Sequence, residues 1–495
     1  MFSGLMGIVL GSDLFYLPLV LALVICLYLL GRSPRLYPGL PVVNVDPRFA
    51  GCFQVFTESG PKIVLPGRFA DEIRNHPALN FREGIAKEFF GSYPGFNPFA
   101  ADNTARIVTE TTRGKLTQSL NLITEELVDE TSSAVEELFG VPEAWTEITY
   151  KPKIVQLVAR VSSRVFLGQE LSANEDWIRL STDYAVDAMV AARKLREWHF
   201  CLRPIVHWFL PECRKIRKRM VEARKIIMPV VERRRKINHQ AREAGQPISK
   251  VADTVGWMDA VANGRKYDIV TAQLGLAFAS IFTTADMISG LIGDLCANPE
   301  YFKPLLEEIS SVLGDKGWSK RALQELKLMD SAMKESQRHH VGDIATMRRL
   351  TKEPVTLSDG TFIPKGAFTM VGLDMLYDSK IFNAPHQFKG SRFLEMRQQS
   401  GQDTRWRFVT TSPEHLAFGH GNHACPGRFF AASEIKVILV YLLMNYDWKL
   451  TSEGRPNDLA FGQETETNPT AKAMIKKRKQ DIALPDKGTR EPQKM

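Results

Sequence analysis

The stretch FGHGNHACPGRFFA, Phe418–Ala431, places one cysteine between closely spaced glycines and directly before a proline. Phe418, Gly421, Cys425 and Gly427 form the pattern F-x-x-G-x-x-x-C-x-G. A free cysteine is most often a small buried hydrophobic residue. Here helix-forming residues follow at once, and the amino terminus of a helix favours a thiolate over a thiol. The stretch therefore predicts a thiolate that binds the metal of a flat cofactor.

The glycines and basic residues of the stretch have expected roles around such a cofactor. Gly421 should let the backbone pass close to the ring, and Gly427 should let the next helix begin beside the metal ligand. A carboxylate on the cofactor needs a basic partner, for which His423 and Arg428 are candidates. Zinc is the alternative, since His420, His423 and Cys425 are all possible ligands. Structural zinc normally takes four ligands from paired clusters, and no second Cys/His pair follows.

Composition and charge narrow the class of protein. The 495 residues are 44% hydrophobic and 24% charged, which is typical of a globular chain with a large core. The net charge of +8 favours acidic protein partners or anionic membrane surfaces. The basic run between Cys213 and Ile237 contains no aromatic residue that could stack on bases, so we expect no nucleic-acid partner. A solvated helix face or contact with lipid headgroups are the interpretations left for that run.

The amino terminus predicts a membrane anchor. Leu14–Leu30 is 17 apolar residues without a charge, and at about 1.5 Å per residue it spans roughly 25 Å, close to the minimum for a bilayer. No basic residue precedes it, whereas Arg32 and Arg35 follow, which places the bulk of the chain in the cytosol. Six cysteines without a C-x-x-C pair also favour a reducing compartment. We expect an anchor over 1–31, a proline-rich hinge over 32–41 and a single domain over 42–495.

From Lys115 onward the sequence shows mainly helical patterns. Lys115–Phe139 has apolar residues at three and four spacing, and Ile269–Cys296 is apolar nearly all round, which predicts a long buried helix. The segment 355–372 predicts a β-hairpin that turns at Asp359-Gly360. The segment 431–450 predicts an amphipathic helix. The expected fold class is mainly α with minor β.

At this point the chain resembles the cytochrome P450 family. Phe418–Ala431 is similar to the family's haem-binding loop, which implies that Cys425 is the axial thiolate and that His423 contacts a haem propionate. The family also has a Glu-x-x-Arg that pairs with an arginine from a later loop. Glu-x-x-Arg occurs here at Glu110/Arg113, Glu232/Arg235 and Glu335/Arg338, and only the last has the family's order. FKGSRF resembles the later loop, which implies Arg392 as the third member.

The long helix resembles the family's distal helix, with Thr283 at the position of the threonine that guides proton delivery. Phe282 departs from the pattern, because the family has an acid or a histidine there. Ser280 or Asp286 then become the implied alternatives for proton delivery. The family's helical Trp-x-x-x-Arg is also not evident, which leaves Arg113 and Lys115 as candidates for a second propionate contact. Family analogy predicts a substrate pocket lined by Phe89, Phe90, Phe96, Phe278, Phe282 and the segment from Val341 to Ala345.

The resemblance is to fungal membrane-bound members such as ent-kaurene oxidase and other natural-product monooxygenases. It implies haem b and insertion of one oxygen atom from O₂ into a hydrophobic, terpenoid-like small molecule in one or more steps. It also implies electrons from NADPH through NADPH–cytochrome P450 reductase, with cytochrome b5 and membrane lipid as further partners. The implied location is the endoplasmic reticulum membrane, single-pass, with a cytosolic catalytic domain. A haem-thiolate lyase or isomerase that needs no reductase is the alternative function; a haem sensor is less consistent with the threonine and the apolar loop.

Overall fold

The computed structural model describes residues 36–42, 51–244 and 252–479. The expected anchor, 1–31, and the first part of the hinge lie outside the described residues. The rest of the hinge is attached to the body of the protein mainly through Tyr37 and Gln54. Gln54 donates from Nε2 to the carbonyl oxygens of Leu40, at 2.7 Å, and Tyr37, at 3.0 Å. Pro38 and Gly39 form a turn between these two contacts.

Most of the described chain is helical. The α-helices are α1 Ala70–Ile73, α2 Phe81–Glu88, α3 Asn103–Thr111, α4 Leu120–Phe139, α5 Tyr150–Leu167, α6 Gln169–Ser172, α7 Glu175–Arg196, α8 Arg203–Val206, α9 Pro211–Glu243, α10 Thr254–Ala262, α11 Ile269–Ala297, α12 Phe302–Lys316, α13 Lys320–Glu325, α14 Lys327–His339, α15 Arg392–Arg397 and α16 Arg428–Asn445. The mainly α fold class expected from the sequence is confirmed.

The strands form one larger sheet and three small ones. They are β1 Phe53–Thr57, β2 Gly60–Leu65, β3 Leu79–Asn80, β4 Thr146–Thr149, β5 Ala345–Thr351, β6 Val355–Thr356, β7 Phe362–Ile363, β8 Phe368–Gly372, β9 Tyr446–Leu450, β10 Leu459–Phe461, β11 Glu464–Glu466 and β12 Lys472–Lys477. The larger sheet has the order β1-β2-β8-β5-β3, in which only β2 and β8 run parallel. The others are β4-β12-β9 and the hairpins β6-β7 and β10-β11.

The long helix α11 lies at the centre of the helical part. Asp268 caps it by accepting a hydrogen bond from the Thr271 amide, and the helix ends at Ala297, one residue beyond the predicted end. Helices α5, α7, α9, α14 and α16 all pack against it, so most of its surface is buried. Within the described ranges it is the one helix that is long and apolar enough to cross a membrane. Its burial is that of a core helix, as the sequence predicted.

Two other predicted elements are confirmed in part. Asp359-Gly360 does turn a hairpin, with φ +86° at Gly360, but the hairpin consists only of β6 and β7, and β8 joins the larger sheet. The helix predicted from Lys115 begins as α4 at Leu120. The residues before it form one π-helical turn, Thr112–Leu116, that continues α3.

The prediction of an amphipathic helix over 431–450 is wrong in two respects. α16 ends at Asn445, and β9 occupies the remaining residues. The polar residues of the helix are also buried. Lys436 donates to Asp330 Oδ1 at 2.8 Å and to the Leu323 carbonyl at 2.9 Å, so its charge is neutralised inside the protein. The polar residues of this helix are spaced like those of a solvent-facing helix, but they bind polar partners inside the protein.

The basic run on α9 lies on a mainly solvent-exposed helix face, as one of the two interpretations predicted, and most of its charges have acidic partners. Arg219 pairs with Asp183 at 2.6 Å on α7, and Arg224 pairs with Asp268 at 2.8 Å at the start of α11. Other bases of the run pair in the same way with acids of neighbouring segments: Lys215 with Asp187, Arg233 with Glu170, Arg234 with Asp253 and Arg235 with Asp259. These ion pairs join α9 to the helices around it.

Candidate active site

The cysteine lies in a closed loop just before α16. The Cys425 amide donates to the Phe418 carbonyl at 2.8 Å, which joins the two ends of the loop. Burial raises the pKa of the Cys425 thiol, while the backbone N–H groups of Gly427 and Arg428 point at the sulfur and lower it. These N–H groups belong to the first turn of α16 and favour the thiolate. The Phe418 ring packs edge-on against Phe408 at 5.2 Å between centroids.

A cluster of basic side chains lies beside this loop. Burial, together with the charges of Arg349, Arg82 and Arg113, lowers the pKa of His423 to about 4. Arg113 also donates to the Asn422 carbonyl at 2.7 Å, so the π-helical turn directly contacts the cysteine loop. The cluster combines several positive charges on neighbouring elements, which is suited to binding carboxylate groups.

Arg349 is the residue of this cluster that the sequence analysis missed. It is 1% exposed, and its Nε and Nη2 atoms are buried without a hydrogen-bond partner in the described part of the chain. Burial lowers the pKa of its guanidinium to about 10. Its one hydrogen bond goes to the Arg348 carbonyl, and its guanidinium lies 5.6 Å from the centre of the Phe81 ring. An arginine buried in this way requires an anionic partner.

A β-bulge sets the direction of Arg349. Thr346 pairs with Val371 and Arg349 pairs with Thr369, so two residues of β5 lie opposite one residue of β8. Met347, within the bulge, has φ +52°, which is costly for a residue with a side chain. Arg349 faces Phe81 and His423, whereas Arg348 turns the other way and pairs with Glu88 and Asp343. Because of the extra residue, the side chains of the adjacent Arg348 and Arg349 point to different sites.

The structure bears on three predicted details of the loop. Gly421 has φ +73°, and a Cβ there would lie 2.6 Å from Arg74 Cβ, so the contact with Arg74 already requires a glycine, and its approach to a ring stays a prediction. Arg428 donates to the carbonyls of Val409 and Cys425 at 3.0 and 2.8 Å, so its guanidinium braces the loop and is not free for a carboxylate. A Cβ at Gly427 would make only an ordinary contact with Thr112. The need for glycine there stays a prediction.

The predicted Glu335–Arg338–Arg392 network lies together behind the loop. Arg338 binds both carboxylate oxygens of Glu335, at 2.9 and 3.0 Å, and Arg392 Nε lies 2.9 and 3.0 Å from the same two atoms. Burial alone would raise the pKa of Glu335, but hydrogen bonds from His339 and Arg338 and the two guanidinium charges lower it to about 2. The network joins α14 to the first residue of α15. Its geometry is that of an architectural ion pair.

An exposed strip interrupts the burial of α11 at its centre. Between Ile269 and Cys296 the exposed residues are Ala279 and Thr283, one turn apart. The Thr283 hydroxyl donates to the Ala279 carbonyl at 2.8 Å, as the sequence pattern suggested. Because the flanking turns are buried, we expect a cavity to reach the helix at this strip. Thr283 is the polar residue that the strip exposes.

The other two predicted proton-path residues differ from Thr283. The Ser280 hydroxyl is buried and has no hydrogen-bond partner among the described residues. Asp286, one turn after Thr283, accepts hydrogen bonds from Lys151 Nζ and Thr467 Oγ1, both at 2.7 Å. Burial raises the pKa of Asp286, and Lys151 lowers it. Asp286 is therefore held in one position by α5 and by the segment after β11.

The predicted pocket residues divide into three groups. Phe89 stacks on Phe99 at 5.1 Å, and Phe99 meets Phe278 edge-on at 4.7 Å, so an aromatic row reaches α11 from the loop after α2. Phe282 packs against a small cluster of Ala159, Ala277 and Ile281 on the α5 side. The other four predicted residues form the third group. Phe90 lies next to Phe96, which is fully buried in the core. Ala345 is buried in the sheet, and Val341 is partly buried beside β11.

No metal cluster competes with the cysteine site among the described residues: none of their His, Cys, Asp and Glu side chains form a group of three that could bind a metal ion. His420 is directed at Asp71 and Thr411. The zinc alternative therefore has no support within the described ranges.

The chain matches the family model described as cytochrome P450 over residues 100–476. It is 40% identical over 436 residues to cytochrome P450 monooxygenase adrA of Penicillium rubens, covering 88% of this chain and 85% of that protein. It is 40% identical over 449 residues to cytochrome P450 monooxygenase trt6 of Aspergillus terreus, covering 90% and 91%. A cytochrome P450 monooxygenase of Gibberella fujikuroi is 39% identical over 435 residues, covering 87% and 99%. The chain belongs to the cytochrome P450 family.

Membership of the cytochrome P450 family confirms the expected fold and enzyme class, a haem monooxygenase. The residues present fit haem at this site. Haem brings carboxylate groups, and Arg349, His423 and Arg113 form a cluster that lacks carboxylate partners for Arg349. In the sequence, Arg349 is only a polar residue in a strand whose residues alternate between more and less buried. This is a weak signal for a binding residue. Its neighbours in the cluster come from distant parts of the chain.

Proposed function

We propose that this cytochrome P450 uses electrons from NADPH, delivered by NADPH–cytochrome P450 reductase, to insert one oxygen atom of O₂ into an apolar natural product. The observation that carries the proposal is the closed Cys425 loop beside the buried, unpartnered Arg349. A terpenoid-like substrate is inferred from the resemblance to ent-kaurene oxidase, in one or more oxidation steps. Residues 42–495 then act as one catalytic domain.

Cys425 is proposed as the axial ligand of haem b. The bound haem thiolate supplies the O–O bond cleavage, because sulfur donates electron density to iron. The chain's own contribution is to hold the sulfur: the amides of Gly427 and Arg428 point at it, and the Arg428 side chain fixes the loop that carries it. His423, Arg349 and Arg113 are proposed to bind the propionates.

Thr283 is proposed to hold a proton at its hydroxyl in the cavity, because it is the accessible polar group of the exposed strip. Phe282 cannot exchange a proton, so a nearby acid is needed. Asp286 lies three residues further on, where side chains of a helix are neighbours about 5–6 Å apart. Its fixed position beside Lys151 supports a role as that acid, with Ser280 as a second hydroxyl on the same helix.

The substrate side of the site is proposed to be apolar. The aromatic row of Phe89, Phe99 and Phe278 lies against the helix that carries Thr283. Charged groups near this row are neutralised by one another: Glu88 is paired with Lys62 and with Arg348. A neutral hydrophobic molecule therefore fits this environment better than a charged one.

The membrane is proposed as the location, in the endoplasmic reticulum, with the anchor over 1–31. The segment between α7 and α9 supports contact with lipid, because it exposes large apolar side chains together: Trp198, Phe200, Ile205, Trp208 and Phe209. We call these five residues the aromatic patch. Tryptophan and phenylalanine beside arginine are typical of protein surfaces at the membrane interface.

For the reductase, the exposed Arg113 and Lys115 beside the cysteine loop offer basic charge, and cytochrome b5 is proposed as a second partner.

The decisive experiment is a pair of measurements on the purified haem-containing protein. Cys425→Ser is expected to abolish the red-shifted absorption band of the reduced carbon monoxide complex, because that band requires a thiolate ligand. Retention of the band in the variant would remove Cys425 from the iron. Turnover is then measured with and without NADPH and reductase, and turnover without them would favour the lyase or isomerase alternative.

A further inference from the structure

The outer part of the cysteine loop is attached to a segment more than 340 residues earlier in the chain. Asp71–Asn75, which we call the clamp segment, begins in α1 and ends in the turn after it. Three consecutive loop residues, His420, Gly421 and Asn422, all contact this segment. None of these residues contributes a ligand or a charge to the proposed haem site, so the contacts need another explanation.

His420 makes the most extensive of these contacts. The residue is 6% exposed, and its imidazole bridges two segments. Nε2 lies 3.0 Å from Asp71 Oδ1, and Nδ1 lies 3.0 Å from Thr411 Oγ1. Arg74 Nη1 lies 3.1 Å from Nε2 and also 3.1 Å from Asp71 Oδ1, so the imidazole, the carboxylate and the guanidinium form one hydrogen-bonded cluster. Nε2 thus lies between a carboxylate that only accepts and a guanidinium that only donates, and either tautomer gains a hydrogen bond there. Both ring nitrogens of His420 therefore have partners.

Two further contacts leave little room for the loop to move. The Asn422 amide donates to Asn75 Oδ1 at 2.7 Å. A methyl group at Gly421 would lie 2.6 Å from Arg74 Cβ, so the two backbones approach closely there. Below these polar contacts, Ile73 of the clamp segment and Leu416 of the loop share one small hydrophobic cluster. Polar and apolar contacts therefore attach the loop to the same short segment.

We propose that Asp71 and His420 are positioning residues for the Cys425 thiolate: through the clamp segment they fix the loop whose far end carries the sulfur. The Cys425 amide is hydrogen-bonded to Phe418, so a displacement of residues 420–422 reaches Cys425 across this short closed loop. The proposal rests on the proposed function, since it needs Cys425 to be the iron ligand. It predicts that weakening the clamp segment destabilises thiolate ligation.

The test uses the full chain with haem and follows the red-shifted carbon monoxide band over time. Asp71→Ala and His420→Ala should each speed the loss of this band by about threefold to tenfold, the effect of losing one or two partly buried hydrogen bonds. The double variant should lose it no faster than the more affected single variant, because both remove the same interaction. Asp71→Asn keeps an acceptor oxygen and should behave nearly as the parent protein does.

Glu72→Ala is the matched control. Glu72 lies on the same turn with the same charge, but its carboxylate binds the amide and hydroxyl of Ser358, at 2.8 and 2.7 Å, and not the loop. If Asp71→Ala and His420→Ala lose the band no faster than Glu72→Ala, the proposal is wrong. Should His420→Ala fail to fold, Asp71→Ala still tests the proposal, because the Asp71 side chain is 58% exposed and its loss leaves no buried cavity. An unchanged reduction potential and band lifetime in Asp71→Ala would overturn the proposal. The Cys425→Ser result separates this failure from failure of the proposed function.

Discussion

Arg349 shows how one residue can be costly to the protein alone and favourable with its ligand. Its guanidinium is buried with two unpartnered nitrogen atoms. Arg349→Met should therefore raise the free energy of unfolding of the haem-free protein by about 1–3 kcal/mol, the usual penalty for an unsatisfied buried polar group. The same substitution should weaken haem retention, because it removes a propionate partner. Thermal unfolding of the haem-free protein and the rate of haem transfer to an acceptor protein measure the two effects.

Arg392→Met is the matched control for this experiment. Arg392 is as buried as Arg349 but is fully paired with Glu335 and with backbone carbonyls. Its loss should destabilise the protein with and without haem. If Arg349→Met destabilises the haem-free protein to a similar degree, then Arg349 has a structural partner and the propionate assignment is wrong.

Thr283 and Asp286 are expected to affect how efficiently oxygen consumption yields product. Thr283→Ala should reduce product formed per oxygen consumed by at least about tenfold, since positioned acid–base groups contribute 10²–10⁴-fold. Asp286→Asn should have an effect in the same direction. Thr284→Ala is the control, because Thr284 is the adjacent residue on α11 and is buried away from the exposed strip. Unchanged coupling in Thr283→Ala would exclude that hydroxyl from proton delivery.

Whether a site residue could be predicted depended on how far along the chain its partners lie. Cys425 and His423 belong to one contiguous motif with a known chemistry, so they could be named from the sequence. Arg349 and Asp71 could not, because their partners are 74 and 349 residues away. A glycine was also correctly singled out at 421, but its reason, a close approach to Arg74, exists only in the folded chain.

At the scale of elements, the ion pair that joins α14 to α15 should be a major source of stability. Glu335 is 0% exposed and bound to two arginines. Glu335→Gln leaves those charges buried with a weaker partner, which is expected to cost about 3–5 kcal/mol. Glu232→Gln is the control. Glu232 has an arginine at the same spacing, but it is exposed, so the cost should be below about 0.5 kcal/mol. Denaturant unfolding of both variants checks this.

The same pair predicts how stability depends on pH. The pKa of Glu335 is about 2 in the folded protein, below its ordinary value of 4.5. The native state therefore binds this proton less readily than the unfolded state does. The stabilisation is complete above about pH 4.5 and is lost as the pH falls from there through about 2. Acid unfolding of Glu335→Gln should accordingly show a flatter dependence over this window, and an identical profile would contradict the assignment.

Helix prediction from pattern succeeded where burial was uniform and failed where charges were buried. α11 is apolar on all sides, and its bounds were predicted to within one residue. α16 contains Lys436, so its pattern indicated a face toward solvent, but Lys436 is buried and donates to Asp330. The basic face predicted on α9 is exposed, yet acids of other segments pair with many of its charges. A sequence shows the charge but not the partner that neutralises it.

At the scale of the whole molecule, the aromatic patch should bind lipid without the anchor. A chain that begins at residue 36 is expected to sediment with phospholipid vesicles. Trp208→Ser/Phe209→Ser should weaken this binding by about tenfold or more, since burying a large apolar side chain contributes about 1.5–3 kcal/mol. Leu122→Ser/Val141→Ser is the control, because those two residues are exposed and apolar but lie outside the patch. Equal loss in both double variants would show that the patch has no special role.

The β-bulge in β5 limits the insertions and deletions that this protein can accept during evolution. Arg348 and Arg349 are adjacent, yet one neutralises acids near the aromatic row and the other faces the cysteine loop. Deleting one residue between Thr346 and Arg349 would restore regular strand pairing and relieve the strain at Met347. It would also reverse which side of the sheet each guanidinium faces. Descendants of this gene should thus tolerate neither an insertion nor a deletion at this point of the strand.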